Sequence, residues 1–189
     1  MNTTNLMIVG VGGQGSLLAS KLLGRLLMNR GYDVKVSEVH GMSQRGGSVV
    51  TYVRYGERVY SPIVDQGEAD FIVSFEKLEA ARYAPYLKKG GRIIVNSQEI
   101  DPMPVITGAT TYPHGVLDEL AEAGVSVDCI DALTPAMEAG SAKAVNIVLM
   151  GRLSKSLPFS REEWLTALEQ TVAPKFLDMN IRAFDLGRA

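Results

Sequence analysis

The stretch Gly10-Val11-Gly12-Gly13-Gln14-Gly15, with Gly10, Gly12 and Gly15 in G-x-G-x-x-G spacing, directly follows a short apolar run, residues 6–9, and precedes a segment with helical spacing. In a strand-to-helix turn, one such glycine permits the tight turn and one lets the backbone approach a ligand. A third lets helix and strand pack closely. A helix that starts there aims free N–H groups and its positive dipole end at whatever lies above the turn. Gly10, Gly12, Gly13, Gln14 and Gly15 are therefore candidate cofactor-binding residues. Such turns also pack Rossmann-like folds that hold no dinucleotide, so both readings stay open. The acidic residue that would meet an adenosine ribose belongs about 20 residues further on. The nearest candidate is Glu38, 28 residues after Gly10.

Glu38 leads through Val39 into His40-Gly41-Met42-Ser43-Gln44-Arg45-Gly46-Gly47. A bulky, basic, twin-glycine loop is unusual for a plain NAD site, yet it falls where open α/β sheets bind ligands. Arg45 offers a rigid fork for a carboxylate, a phosphate or a partner's acidic side chain. Gly46 and Gly47 let the chain turn sharply or let another surface come close. His40, Gln44 and Arg45 are the catalytic candidates, and Glu38, Gly46 and Gly47 join the cofactor-binding candidates. The plainer alternatives are a structural ion pair for Arg45 and a hydrogen-bonded loop role for His40. A proton shuttle at His40 would exploit its near-neutral pKa.

The other reactive side chains point to less. His40 and His114 are the only histidines, no H-E-x-x-H set exists, and no metal site is expected. Cys129 lies in an apolar run without a neighbouring base, which reads as a buried, inert thiol. Ser16 lacks the G-x-S-x-G context of an activated serine. Glu76 and Glu79 read either as a carboxylate pair or as charges complementing a helix N-terminus. Tyr52, Tyr55 and Tyr60 read as an aromatic docking face or as cross-strand stacking.

The elements that must position these residues alternate. Leu18, Leu22 and Leu26, widened by Leu23 and Leu27, give residues 16–30 one buried helical face, closed by Gly31. Residues 34–39 form a strand parallel to the first through a right-handed crossover. Residues 48–55 and 58–61 read as a β-hairpin about Gly56-Glu57, and residues 69–75 as a central strand. A helix is expected over 76–89, shortened by Pro85 and stopped by Gly90-Gly91, followed by a strand at 92–96. Residues 101–111 look irregular, with a short strand at 105–106. Helix over 114–123, strand over 125–130 and a short helix opened by Thr134-Pro135 come next. A long helix over 141–157 carries apolar residues on more than one face. Ser160 with Glu163 forms a capping box, and Phe159 with Trp164 a hydrophobic staple, before another helix. Residues 175–189 are a C-terminal helix or an arm. The fold class is α/β: a Rossmann-like, mostly parallel sheet with helices on both faces, plus the hairpin.

Composition narrows the function classes. A length of 189 residues suits one domain, 1–189. Net charge is −2, so no basic surplus exists to neutralise a nucleic-acid backbone. One cysteine excludes an internal disulfide framework and any four-cysteine cluster built from this chain alone, and suits a reducing compartment. No signal peptide is evident, and the apolar stretches are short of the ~20 residues that cross a bilayer. Cytoplasmic location is expected.

The stretches Gly10–Gly15 and Glu38–Gly47, with Val53-Arg54-Tyr55-Gly56, Ala69-Asp70, Phe75-Glu76-x-x-Glu79-Ala80 and Asn146 within residues 144–151, resemble a known family. This is the gamma subunit or domain family of pyruvate and ketoisovalerate ferredoxin oxidoreductases. The stretch His40-Gly41-Met42-Ser43-Gln44-Arg45 is similar to its indolepyruvate branch, the beta subunit of indolepyruvate:ferredoxin oxidoreductase. The resemblance covers nearly the whole chain and weakens after about Pro158. It implies a complex that decarboxylates an aryl-2-oxoacid, couples the acyl group to coenzyme A as co-substrate and passes two electrons to ferredoxin. Thiamine diphosphate and [4Fe–4S] clusters are implied on a partner alpha subunit. This chain has no G-D-G…N signature and too few cysteines for a cluster, so it is expected to be inactive alone. Two other readings stand beside it: a free-standing NAD(P)- or flavin-dependent oxidoreductase, and a non-catalytic assembly module. An exposed docking face is expected, over which an isolated chain could form a homodimer.

Overall fold

The computed structural model describes residues 3–41 and 46–189. The chain opens with β1 (Thr4–Val11), whose alternation sends Leu6 and Ile8 into one core and Met7 and Val9 into another. That period of two is what a strand buried on both faces requires. The helix α1 (Ser16–Asn29) follows and completely buries Leu22, Leu23, Leu26 and Leu27. Each is worth roughly 1.5–3 kcal/mol relative to exposure. Gly31, at φ +79°, lets the chain leave the helix through the left-handed region.

Two further strands come next, β2 (Asp33–His40) and β3 (Ser48–Gly56). The order along the sheet is β2-β3-β1, then β4 (Ala69–Ser74), β5 (Leu87–Asn96) and β6 (Ser126–Ile130). The pairs β1–β4, β4–β5 and β5–β6 are parallel, and β3 runs antiparallel to both β1 and β2. So β2 is parallel to β1 as its crossover requires, but β3 is inserted between them. The hairpin therefore joins β2 and β3, and not β3 and residues 58–61 as the sequence suggested. Those residues are held out of the sheet: the Asp33 carboxylate accepts from Val59 N at 2.8 Å, and Arg54 donates to the carbonyls of Ser61 and Ile63.

Other expectations also give way to tertiary contacts. The helix expected over 76–89 is α2 (Lys77–Tyr83) followed by a 3-10 turn, Ala84–Tyr86. The strand β5 already begins at Leu87, and Gly91 lies inside it. A Cβ there would sit 2.9 Å from Ala69 O and 3.0 Å from Asp70 O, at an irregularity in the β4–β5 register. Residues 105–106 belong to a short helix, α3 (Met103–Ile106), and not to a strand. Next come α4 (Val116–Glu122) and α5 (Leu133–Ala139). The long helix expected over 141–157 is a 3-10 turn, Ala142–Ala144, continued by α6 (Val145–Ser154). Helix α7 (Arg161–Glu169) starts at the expected capping box, with Ser160 and Glu163 bonded in both directions. The C-terminal segment is the helix α8 (Leu177–Arg188).

The two sheet faces are covered unequally. Helices α1 and α5–α8 supply residues to one core, whereas α2 and α4 supply the other. Helix α6 is buried almost all round because α8 packs on its far side. Glycines set that crossing: a Cβ on Gly151 would lie 2.1 Å from Phe184 O, and one on Gly187 would lie 2.0 Å from Val148 O. Among the described residues no helix is long and apolar enough to cross a membrane.

Candidate functional site

The Gly-rich turn lies where β1 ends and α1 begins, at the carboxyl edge of the sheet, which is where open α/β folds place ligands. Gln14 organises it. Its Oε1 accepts from Val11 N at 2.7 Å, and its Nε2 donates to Phe75 O and Gln98 Oε1, both at 3.2 Å. The amide thus folds over the end of β1, and Gly10 is glycine to make room. A Cβ there would lie 2.8 Å from Gln14 Oε1 and 3.0 Å from Phe75 Cβ. Gly15, at φ +90°, precedes α1 without a side-chain cap. A Cβ on it would stand 2.7 Å from Asn146 Nδ2, which donates to Gly15 O at 3.2 Å. Asn146 is itself buried at the start of α6 and accepts from Ile147 N at 2.8 Å. The turn is therefore locked by two amide side chains, one its own and one from 131 residues away.

The twin-glycine segment is tied to the same turn through main-chain atoms. Gly12 N donates to Gly47 O at 2.8 Å, and Gly46 N to Gly12 O at 3.5 Å. Gly46 adopts φ +75°, the left-handed region that favours glycine. Gln44 and Arg45 lie outside the described residues, as do Met42 and Ser43.

Two cavities flank the turn, and Gly13 and Gly15 line both. One, of about 320 Å³, brings Glu38, His40 and Val49 against Gly13, Gly15, Ser16 and Leu17. The other, of about 580 Å³, is bounded by Gln14, Gln98, Leu133, Lys143 and Asn146. Gly13, at φ +103°, has no atom within 4 Å of where a Cβ would be, so its backbone is open to an approaching group. Glu38 is exposed on β2 and accepts weakly from Thr51 Oγ1 at 3.4 Å. Because β3 is inserted, β2 stands two strand spacings from β1, roughly 10 Å. The His40 ring Nδ1 lies 3.1 Å from Gly41 O on an exposed strand end.

A buried polar network extends from this edge. Glu76, 1% exposed, caps α2: its carboxylate accepts from Glu79 N at 2.9 Å, from Ile100 N at 3.2 Å and from the Tyr112 hydroxyl. Burial first, and the Glu76 carboxylate second, push the Tyr112 hydroxyl pKa well above its ordinary value. The same hydroxyl accepts from Leu78 N. Glu79, also buried, accepts from the Ser48 hydroxyl and from Arg82 Nε at 3.1 Å. Asn96 ties three strand ends by donating to Phe75 O at 3.2 Å and accepting from Ala132 N at 3.0 Å. The dipole-complementing reading of Glu76 is thus realised as a cap, whereas the carboxylate-pair alternative has the two groups facing different partners. Sequence reasoning passed over Tyr112, Gln98 and Asn96 as site residues. No local signal marks them, because each meets its partner only through the sheet.

Two expectations about reactive side chains need correcting. Cys129 is exposed on the edge strand β6, since its pattern of apolar neighbours reflects the strand and not its own burial. Partial desolvation of its thiol still raises its pKa, against an opposing pull from Lys77. Tyr52 and Tyr55 are buried in different cores, and Tyr60 is 78% exposed beneath Arg58, so the three share no face. His114 stands 3.5 Å from Glu99, which is itself paired with Lys77. Among the described residues no cluster of three or more His, Cys, Asp or Glu could hold a metal ion.

The sequence family described as pyruvate ferredoxin/flavodoxin oxidoreductase matches residues 5–189. The chain is 47% identical to the indolepyruvate oxidoreductase subunit IorB of Thermococcus kodakarensis, over 99% of this chain and 95% of that one. Its fold is similar to the gamma subunit of a keto/oxoacid ferredoxin oxidoreductase from Geobacter sulfurreducens, with TM-score 0.71 and 21% identity. That likeness covers 97% of this chain and 95% of the other. A further likeness, TM-score 0.74 at 18% identity, is to the 2-oxoglutarate:ferredoxin oxidoreductase of Magnetococcus marinus, solved with 2-oxoglutarate, coenzyme A and succinyl-CoA bound. All of this chain corresponds there to 31% of the longer one. At these identities the two structures speak for the fold.

Proposed function

This chain belongs to the pyruvate ferredoxin/flavodoxin oxidoreductase family, and we propose that it is the small subunit of an indolepyruvate-type 2-oxoacid:ferredoxin oxidoreductase. The observation that carries the reading is the 47% identity to an indolepyruvate oxidoreductase subunit along almost the whole of both chains. All 189 residues act as one gamma-type domain whose work is done in a cytoplasmic complex. A [4Fe–4S] cluster takes four thiolates, and this chain has the single Cys129, so its residues do not fit that group. The clusters, and thiamine diphosphate with them, belong on the larger partner, an alpha subunit that also meets ferredoxin.

What this chain contributes is a shaped edge. The turn Gly10–Gly15 and the segment Gly46–Gly47 form one unit, because Gly12 and Gly47 are bonded through their backbones. Glu38, His40, Gln44 and Arg45 project from, or follow, the strand that ends beside it. In the complex this unit closes one side of the cleft in which the 2-oxoacid and coenzyme A react. Arg45, as a guanidinium fork, suits a carboxylate or phosphate there. The dinucleotide alternative is weaker. The Gln14 amide already takes the Val11 N–H, and Glu38 stands two strands away from β1.

The test is to purify the untagged chain from its native lysate and then mix it with whatever accompanies it. Recovery of a larger, brown, cysteine-rich chain is expected. Reduction of ferredoxin by an aryl-2-oxoacid and coenzyme A should require both polypeptides. Turnover by this chain alone, or micromolar binding of NAD(H) or flavin to it, would overturn the proposal. Arg45→Ala is expected to lower turnover of the reconstituted complex.

A further inference from the structure

Helix α1 carries two cations at positions its own helix does not favour. Residues 16–29 include Lys21 and Arg25 and no acidic residue, although the helix dipole favours a carboxylate in the first turn. The two cations stand at i and i+4, a spacing at which like charges mildly destabilise a helix. Among the described residues no ion pair involves either one. Arg30, just beyond the helix, is by contrast paired with Glu163 at 2.8 Å.

The cations border a groove of about 530 Å³ between α1 and β2, floored by Gly24 and walled by Leu17, Met28 and Val36. Those three large apolar side chains are 52%, 53% and 47% exposed and line the same groove as the two cations. Strand β2 is an edge of the sheet, bonded only to β3 among the described strands. Its outer side offers backbone donors and acceptors to an extended chain. Leu17 also lines the cavity beside Gly13 and Gly15, so the groove runs into the site described above.

We propose that this groove receives an extended, acidic segment of the partner subunit, with apolar side chains seated on Leu17, Met28 and Val36 and carboxylates facing Lys21 and Arg25. The inference rests on the subunit reading above and names the face through which assembly occurs. A second copy of this chain fits the groove badly. Pairing β2 with β2 about a twofold normal to the sheet would set two α1 helices side by side and oppose their cations.

The experiment uses the two-subunit complex. Lys21→Glu/Arg25→Glu should raise the dissociation constant about tenfold or more and flatten its salt dependence, because both charges sit at the rim of the contact. A charge-matched control, Lys89→Glu/Lys175→Glu, should stay within about twofold of wild type. Met28→Glu should weaken binding as well. All these residues but Lys175 are exposed on regular elements, and Lys175 is exposed in a 3-10 turn, so each variant should keep the wild-type circular dichroism. Carbodiimide coupling, which joins an amine to a carboxylate with no spacer, should link Lys21 to an Asp or Glu of the large subunit. If wild-type chains form no complex at all, the subunit reading fails and this inference with it. If the complex forms but the double variant binds as tightly as wild type, the groove assignment alone is overturned. Equal weakening by the control, or coupling of Lys21 to a second copy of this chain, overturns it too.

Discussion

Replacing Gly187 with alanine tests whether the α6–α8 crossing is set by glycine or merely tolerates it. The new Cβ would lie 2.0 Å from Val148 O, 2.7 Å from Val148 C and 2.9 Å from Val148 Cα. A relaxed carbon-to-carbonyl-oxygen contact is about 3.3 Å, so the helices must part by more than about 1 Å. No side-chain rotation relieves this, because every clashing atom is backbone. Overpacking of this kind costs about 1–3 kcal/mol and sometimes more. Alanine returns up to about 1 kcal/mol through its better helix propensity. The net expectation is a loss of about 2 kcal/mol. For a chain of this size that lowers Tm by roughly 4–8 °C. Thermal unfolding followed by circular dichroism reads it directly. Gly151→Ala meets the mirror-image contact, 2.1 Å from Phe184 O, and one separation relieves both. The double variant should therefore lose less than the sum of the two. A Gly187→Ala chain that melts at or above the wild-type temperature would show that the helices part freely, and the reasoning would be wrong.

Gln14→Ala should destabilise the chain by about 1–2 kcal/mol, since it strands the Val11 N–H and leaves the Phe75 carbonyl with Asn96 as its side-chain donor. A denaturant midpoint unchanged from wild type would count against the locked turn. Tyr112→Phe removes the acceptor of Leu78 N and a donor to Glu76, costing about 1–3 kcal/mol at neutral pH. Because the folded state holds the Tyr112 proton more tightly than the unfolded chain, its contribution is full below about pH 10 and declines as pH rises toward the raised folded value. The variant should lose stability less steeply than wild type between about pH 9 and 11. Equal slopes would remove Tyr112 from that role. Cys129 should take up one equivalent of a thiol reagent in the native, isolated chain, more slowly than free cysteine at the same pH, given its raised pKa. A thiol that reacts only after unfolding would contradict its exposed position.

Features that repeat locally were readable in advance. The leucine stripe of α1, the stop at Gly31 and the Ser160–Glu163 capping box all depend on residues within a turn or two of one another. The Gly-rich turn was readable as a turn. Its internal locking was not, because Asn146 meets Gly15 only after α6 packs against α1. Residues 87–91 misled because Leu87, Lys88 and Lys89 continue a helical pattern, and no local cue shows that Gly91 must lie against Ala69 O and Asp70 O. The insertion of β3 between β1 and β2 was hidden for a related reason. A strand's neighbours follow from the path of the chain through space, and the 48–55 segment looks the same paired on either side. Tyr112 is the sharpest case: a tyrosine in a Pro- and Thr-rich stretch reads as loop, and only the fold delivers its hydroxyl to Glu76, 36 residues earlier.

The tether between Gly12 and Gly47 is made by peptide atoms at both ends. Exchanging neighbouring side chains removes neither bonding atom, whereas a proline at residue 12 or an ester in place of that peptide group removes the Gly12 donor. The link between the first turn of the protein and the residues that lead into β3 thus depends on main-chain atoms and on the left-handed backbone of Gly46, and not on the side chains around it.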